Sequence, residues 1–199
     1  KTRSDLLGSH TVVTYPPLDS LLPVQRGEIF PALKWPRRAD VYIHIPFCEY
    51  PCKFCPYTTL SIHDSSTLSS YFGALFKEIC FWGNLFRQKN TTVQSIYIGG
   101  GTPFSIPAET LAALLQTISR ELPLASDLTF SLETSPAATL RPDAGEKLDL
   151  LKKYGLTRFS IGIQTFDSET LRDTARVTPH SQTGDEEKAV AWLMQSGIS

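Results

Sequence analysis

The sequence predicts an α/β fold with a parallel sheet, and three features carry that expectation. Short β-branched and aromatic runs alternate with longer stretches whose apolar residues recur at helical spacing. The later strands begin roughly 30 residues apart, the length of a strand plus a right-handed crossover helix. Each strand also ends in residues suited to chemistry at a parallel sheet's carboxyl edge, where α/β folds place their sites.

Taken in order, residues 1–38 hold five of the 14 prolines and read as a Pro-rich N-terminal extension packed on the main domain. Residues 39–199 make that main domain. "DVYIHIPF" (40–47) is its first strand. Leu68, Tyr71, Phe72, Leu75, Ile79, Trp82 and Phe86 then form the buried stripe of a helix. "VQSIYIGGGTP" is a strand ending in glycines, and the next helix opens with Ser105 as N-cap and Pro107 in its first turn. "DLTFSLE" (127–133) is the third strand, followed by a helix from near Pro142 to Gly155. "LTRFSIGIQTF" (156–166) is the fourth. A short helix capped by Ser168 and a last helix to about Ser196 complete the reading. The alternation breaks off where a further strand is expected, so the chain reads as the first part of a longer fold.

Charge and hydropathy narrow the function classes. The 199 residues are 41% hydrophobic and 20% charged, an ordinary globular composition with enough chain for one good core. Nineteen basic residues against 20 acidic ones give a net charge of -1, with no basic run beyond Arg37-Arg38 and Lys152-Lys153. That balance argues against a nucleic-acid partner. No apolar run approaches the roughly 18 residues of a membrane span. The opening "KTRSDLLGSH" lacks the apolar centre of a signal peptide. A cytoplasmic, reducing location is expected, in which clustered thiols read as metal ligands or redox groups.

The strand ends present such a cluster. The first runs into Cys48-x3-Cys52-x2-Cys55, the second into Gly99, Gly100, Gly101, Thr102 and Pro103, the third ends in Glu133 and the fourth in Gln164. Thiolates suit zinc or iron–sulfur clusters, and three on one loop can hold three irons of a 4Fe–4S cube while leaving the fourth open. A zinc site completed by His44, His63 or Cys80 is the alternative, although Cys80 also reads as a buried small hydrophobe. The glycines match neither a Walker nor a Rossmann fingerprint; they suit a tight turn or close backbone approach to a ligand. Glu133 is either solvated or takes amino or hydroxyl groups, Gln164 can bond a ribose, and Arg176 is a surface charge or a carboxylate partner.

The Cys loop after "YIHIPF", with "IYIGGGTP", "LE" and "RFSIGIQTFDSETL", resembles the radical S-adenosylmethionine (SAM) superfamily over roughly residues 40–199. Within it the likeness is to the oxygen-independent coproporphyrinogen III oxidase-like subgroup. The resemblance implies a partial (β/α)6 barrel, of which this chain carries about the first four βα units. It implies that Cys48, Cys52 and Cys55 hold a 4Fe–4S cluster whose open iron is chelated by SAM. By the same pattern Gly100 and Gly101, flanked by Gly99 and Thr102, run along the methionine moiety. Glu133, Gln164 and Arg176 fix its polar groups and ribose, and Phe54 packs on the adenine side. Tyr42 and His44 match residues placed close to the cluster and SAM, the positions nearest catalysis. The implied chemistry is reductive cleavage of SAM to a 5′-deoxyadenosyl radical, fed by a flavodoxin- or ferredoxin-type donor.

Two departures from the subgroup's patterns are informative. Coproporphyrinogen oxidases of this type carry a further Cys two residues past the third, where this chain has Tyr57. Haem chaperones read Cys-Asp-Phe and lack a long upstream segment; here Pro56 follows Cys55, and "TYPPLDSLLP" lies upstream. These differences favour class C radical methylases and haem-degrading methyltransferases, which bind two SAM molecules and act on an aromatic or tetrapyrrole substrate. Oxidative decarboxylation of coproporphyrinogen III and a non-catalytic haem-chaperone role are the alternatives.

Overall fold

The computed structural model describes residues 34–176, 182 and 184–198. Pro36–Ser199 forms one compact unit. The expected Pro-rich extension falls almost wholly outside the described residues.

The main sheet is built from β1 (Arg38–Ile45), β4 (Thr92–Gly100), β5 (Leu124–Thr134) and β6 (Arg158–Ile161), all parallel and in that spatial order. On β1, Ile43 and Ile45 are 3% and 0% exposed while Tyr42 is 58% exposed, so one face packs under helices and the other lines the open interior. The α/β expectation is met: four strands, each followed by helix, form an open section of a barrel. A second, two-stranded parallel sheet pairs β2 (Phe47–Cys48) with β3 (Leu60–Ser61). Nothing in the hydropathy pattern announced it.

Helix α1 (Ser65–Gln88) buries Leu68, Phe72, Ile79 and Phe86 on the expected stripe. Cys80 lies beside that stripe and is only half-buried, so its reading as a core residue holds in part. Gly83 is buried, and a Cβ there would collide with the Glu121 carbonyl oxygen, so its missing side chain lets α1 approach α2 (Ala108–Glu121).

Several boundaries differ from expectation. Ser105 does not cap α2; it belongs to a buried 3-10 turn (Pro103–Ser105), and Pro107 takes the cap position. The turn is favoured because Phe104 is fully buried, which draws the chain inward before the helix begins. Downstream, α3 (Pro136–Thr139) intervenes before α4 (Ala144–Lys153). Asp167 rather than Ser168 caps α5 (Ser168–Asp173), its carboxylate accepting from Thr170 N–H at 2.7 Å. The fourth strand stops at Ile161 because Gln164 adopts a left-handed φ of 70°, which an extended strand cannot carry. The last helix, α6 (Asp185–Ser196), ends at Ser196 as read from sequence.

Candidate functional site

The cysteine loop is closed at its base by the short β2–β3 pair. Leu60 N–H donates to Pro46 O at 2.8 Å and Ile62 N–H to Cys48 O at 3.1 Å. The glycine bend docks beneath it: Gly101 N–H donates to Ile45 O and Thr102 N–H to Phe47 O, both at 2.8 Å. Cys48 is thereby half-buried, with its Sγ 3.8 Å from Thr102 Oγ1. Burial pushes this thiol up, partly offset by the Thr102 contact. Further along, Cys55 N–H donates to Cys52 O at 3.2 Å, and Lys53 ties the loop to the end of α5 through Thr174 O and Asp173 O. All four cysteines are free thiols.

The glycines answer first to protein neighbours. A Cβ on Gly101 would lie 2.5 Å from Phe47 O and 2.8 Å from Cys48 Sγ. One on Gly99 would meet Glu133 Oε2 and the Tyr97 ring at 2.9 Å. Gly100 has φ of +124° and faces Ile45 O. These residues are small so that the strand end can nest between the Cys loop and Glu133, a constraint that stands whatever ligand lies above.

Glu133, half-buried at the end of β5, is no loose solvated carboxylate. Its Oε2 accepts from Gly100 N–H at 2.9 Å, and its Oε1 accepts from the Tyr97 hydroxyl at 2.6 Å. Sequence reasoning missed Tyr97. The signal was present, since Tyr97 shares the face of Gly99 by the period of two. Tyr97 pairs with Tyr42 across the β1–β4 ladder, and their rings stack at 6.0 Å. The Tyr42 hydroxyl and His44 Nδ1 are 2.9 Å apart, a hydrogen bond whose direction follows the imidazole tautomer. Burial, then the Glu133 hydrogen bond, raises Tyr97; burial, then the nearby Glu133 charge, raises Tyr42.

Arg176 departs from the surface-charge alternative. It is half-buried, hydrogen-bonds the Gly162 carbonyl, and places Nη1 3.4 Å from Cys52 Sγ. A guanidinium there can donate a hydrogen bond to a sulfur that ligates a metal.

These elements surround a cleft of about 300 Å3. Cys48, Cys52, Cys55, Phe54, Gly100, Gly101, Thr102, Glu133, Gln164 and Arg176 all line it. Tyr42, His44 and Gly99 are not among the lining residues; they sit beside the cleft on the sheet's inner face. Tyr57 also lines the cleft and is 60% exposed. Sequence reasoning missed a set of charged residues that begins at Glu49 on the cleft lining. Arg141 Nη1 donates to Glu49 Oε2 at 3.1 Å, and the fully buried Lys147 bonds Asp143 at 2.8 Å and Phe104 O at 3.1 Å.

Three thiols on one loop, opening onto a cleft, fit an iron–sulfur cluster with one site left for an outside ligand. The candidate fourth zinc ligands His44, His63 and Cys80 all lie off the cleft lining. Among the described residues, no three His, Cys, Asp or Glu side chains are grouped to hold a single metal ion.

A parallel partial barrel with a thiol loop, a glycine bend and a tethered carboxylate at its carboxyl edge defines a cofactor-dependent α/β protein. Comparison with known proteins narrows that class. A family profile described as the radical SAM superfamily matches residues 42–198, and the chain belongs to that superfamily. It is 34% identical over 158 residues to the anaerobilin synthase of Escherichia coli O157:H7, covering 79% of this chain and 33% of that protein. It is 37% identical over 139 residues to the haem chaperone HemW of Bacillus subtilis (strain 168), covering 69% and 35%. The oxygen-independent coproporphyrinogen III oxidase of Synechocystis is 31% identical over 159 residues, with 80% and 32% covered. The solved structure of the Escherichia coli coproporphyrinogen III oxidase HemN superposes with a TM-score of 0.66 at 26% identity, over 80% of this chain and 33% of that one. The chain therefore spans about a third of the length of these relatives. The superfamily's cofactors are a 4Fe–4S cluster and SAM. Among the described residues, no helix is long and apolar enough to cross a membrane.

Proposed function

We propose that this chain is the cofactor-binding part of a cytoplasmic radical SAM enzyme that acts on a tetrapyrrole or similar aromatic substrate. The convergence of Cys48, Cys52 and Cys55 with Gly100, Glu133, Gln164 and Arg176 on one cleft carries the reading. Cys48, Cys52 and Cys55 hold the cluster, and Arg176 can donate a hydrogen bond to the Cys52 sulfur. When bound, the cluster supplies an electron to SAM, whose cleavage yields a 5′-deoxyadenosyl radical. Glu133, held by Tyr97 and Gly100 N–H, offers its remaining lone pairs to the amino group or hydroxyls of SAM. Gln164 takes the ribose, and Phe54 gives an apolar surface for adenine while helping to exclude water. Tyr42 and His44 stand beside the cleft as a hydrogen-bonded pair on the interior face, which the substrate approaches. Reducing equivalents come from a flavodoxin- or ferredoxin-type protein.

For the reaction itself we favour methyl or methylene transfer to an sp2 carbon from a second SAM molecule. The observation in its favour is Tyr57, an exposed cleft residue where the coproporphyrinogen oxidases carry a further Cys. The Synechocystis oxidase likeness supports oxidative decarboxylation as the second reading, and the HemW likeness supports haem carriage as the third. Anaerobic turnover of the full-length protein with dithionite and methyl-deuterated SAM separates them. Deuterium in 5′-deoxyadenosine supports methyl transfer. Unlabelled 5′-deoxyadenosine points to the oxidase reading. An intact cluster that gives no 5′-deoxyadenosine points to carriage.

A further inference from the structure

The cysteine loop is exposed along much of its length and has few tethers. Pro51, Lys53, Phe54, Pro56, Tyr57 and Thr58 all face solvent. Its second half is held by Lys53, through Thr174 and Asp173, and by Arg176 at Cys52. Between Cys48 and Cys52, among the described residues, the one side-chain tether is Glu49 Oε2 accepting from Arg141 Nη1 at 3.1 Å. Arg141 itself is backed from behind. Its Nε lies 3.5 Å from Asp143 Oδ1, an atom that is buried and has no hydrogen bond of its own. Asp143 Oδ2 is 2.8 Å from the Lys147 ammonium, which donates to Phe104 O at 3.1 Å and sits 5.4 Å over the Phe104 ring. Phe104 belongs to the turn just after the glycine bend. Glu49, Arg141, Asp143 and Lys147 thus form a line of alternating charges. It starts on the cysteine loop and ends at Phe104, in the turn that follows the glycine bend.

We propose that the Glu49–Arg141 ion pair is a positioning contact that holds the cysteine loop in its ligating conformation before any cluster is present. Asp143 and Lys147 fix Arg141 for that role. Burial, with side-chain hydrogen bonding to Asp143 working against it, lowers Lys147. Burial would raise Asp143, but Lys147 and then Arg141 bring it below the ordinary carboxylate range. An anchored Arg141 has little rotamer freedom left to lose when it grips Glu49. That is why a half-exposed pair can order a loop whose backbone otherwise has few partners. The connection to cluster binding rests on the proposed function; the ordering of the loop does not.

Hydrogen exchange on the full-length protein, before and after anaerobic cluster reconstitution, tests this. Glu49→Gln is the cleaner variant, because it leaves Arg141 and Asp143 together, and Arg141→Gln removes both contacts. In the cluster-free protein each should speed amide exchange over residues 49–55 by roughly 2- to 5-fold, the range of a half-exposed pair. Exchange in the core of α1 should stay at the wild-type rate. The effect should shrink in high salt, and the double variant should exchange no faster there than Arg141→Gln. After reconstitution, the same variants should lose iron to a chelator faster than wild type. Wild-type exchange at 49–55 in Glu49→Gln would overturn the proposal, as would acceleration shared equally by α1. If wild type takes up no cluster, the proposed function falls, while the exchange result still decides whether the pair orders the loop.

Discussion

Replacing Gly101 by Ala adds one methyl at the tightest point of the site. Its φ lies outside the left-handed region, so the backbone tolerates a side chain and the effect is steric. The new Cβ would lie 2.5 Å from Phe47 O and 2.8 Å from Cys48 Sγ, where ordinary contact needs 3.4 Å or more. Phe47 cannot yield easily, since it is fully buried and its carbonyl accepts from Thr102 N–H at 2.8 Å. Overpacking of this kind costs about 1–3 kcal/mol, and straining the two hydrogen bonds under the loop adds about 1 kcal/mol. The expected loss is therefore about 2–4 kcal/mol in urea unfolding of the cluster-free protein. Displacement of Cys48 should also lower iron per chain after reconstitution. Gly145→Ala is the control: nothing lies within 4 Å of its added Cβ, and a helical alanine should stabilise by up to about 1 kcal/mol. A Gly101→Ala protein within about 0.5 kcal/mol of wild type, and with full iron, would refute the docking of the glycine bend against the loop.

Tyr97→Phe should weaken SAM binding by roughly 5- to 30-fold through loss of a charge-assisted bond worth about 1–2 kcal/mol, with iron content unchanged; unchanged affinity in equilibrium dialysis would remove Tyr97 from the site. Lys147→Met should cost about 2–4 kcal/mol in denaturant unfolding, because it strands Asp143 and the Phe104 carbonyl in a buried place. Asp64 caps α1 by accepting from the hydroxyl and amide of both Thr67 and Ser66, bonds led by the Thr67 hydroxyl that hold its carboxyl down to about 2 from 3.8. Since the folded value is depressed, its stabilisation is complete above about pH 4 and fades as pH falls towards 2. The difference in thermal midpoint between wild type and Asp64→Ala should narrow over that interval; a constant difference would contradict the assignment.

Much of the site was legible because strands impose a period of two and parallel sheets place their working residues at one edge. Cys48, Gly101 and Glu133 could be put at that edge from the alternation alone. Helix starts were less legible where two acceptors stand side by side. Asp167 and Ser168 can both cap, and burial of Leu171 at 3% sets the first turn's register so that Asp167 is used. Arg141 and Glu49 lie 92 residues apart in sequence, and no local pattern joins them. Lys147 shares its helix with other lysines, yet its side chain is fully buried and bonds the carbonyl of Phe104, 43 residues upstream. Contacts of that range come from how the helices pack on the sheet, which no local period encodes. Gln164 is similar, since its left-handed φ of 70° falls within a run that otherwise reads as continuous strand.

The central claim is that Cys48, Cys52 and Cys55 hold a 4Fe–4S cluster with one iron open to SAM. Anaerobic reconstitution followed by iron and sulfide analysis, with electron paramagnetic resonance of the reduced protein before and after SAM is added, tests it most directly. The account predicts about four irons and four sulfides per chain, a spectrum that changes on adding SAM, and retention of both in Cys80→Ala but not in Cys52→Ala. About one zinc per chain, or a cluster whose spectrum ignores SAM, would contradict it.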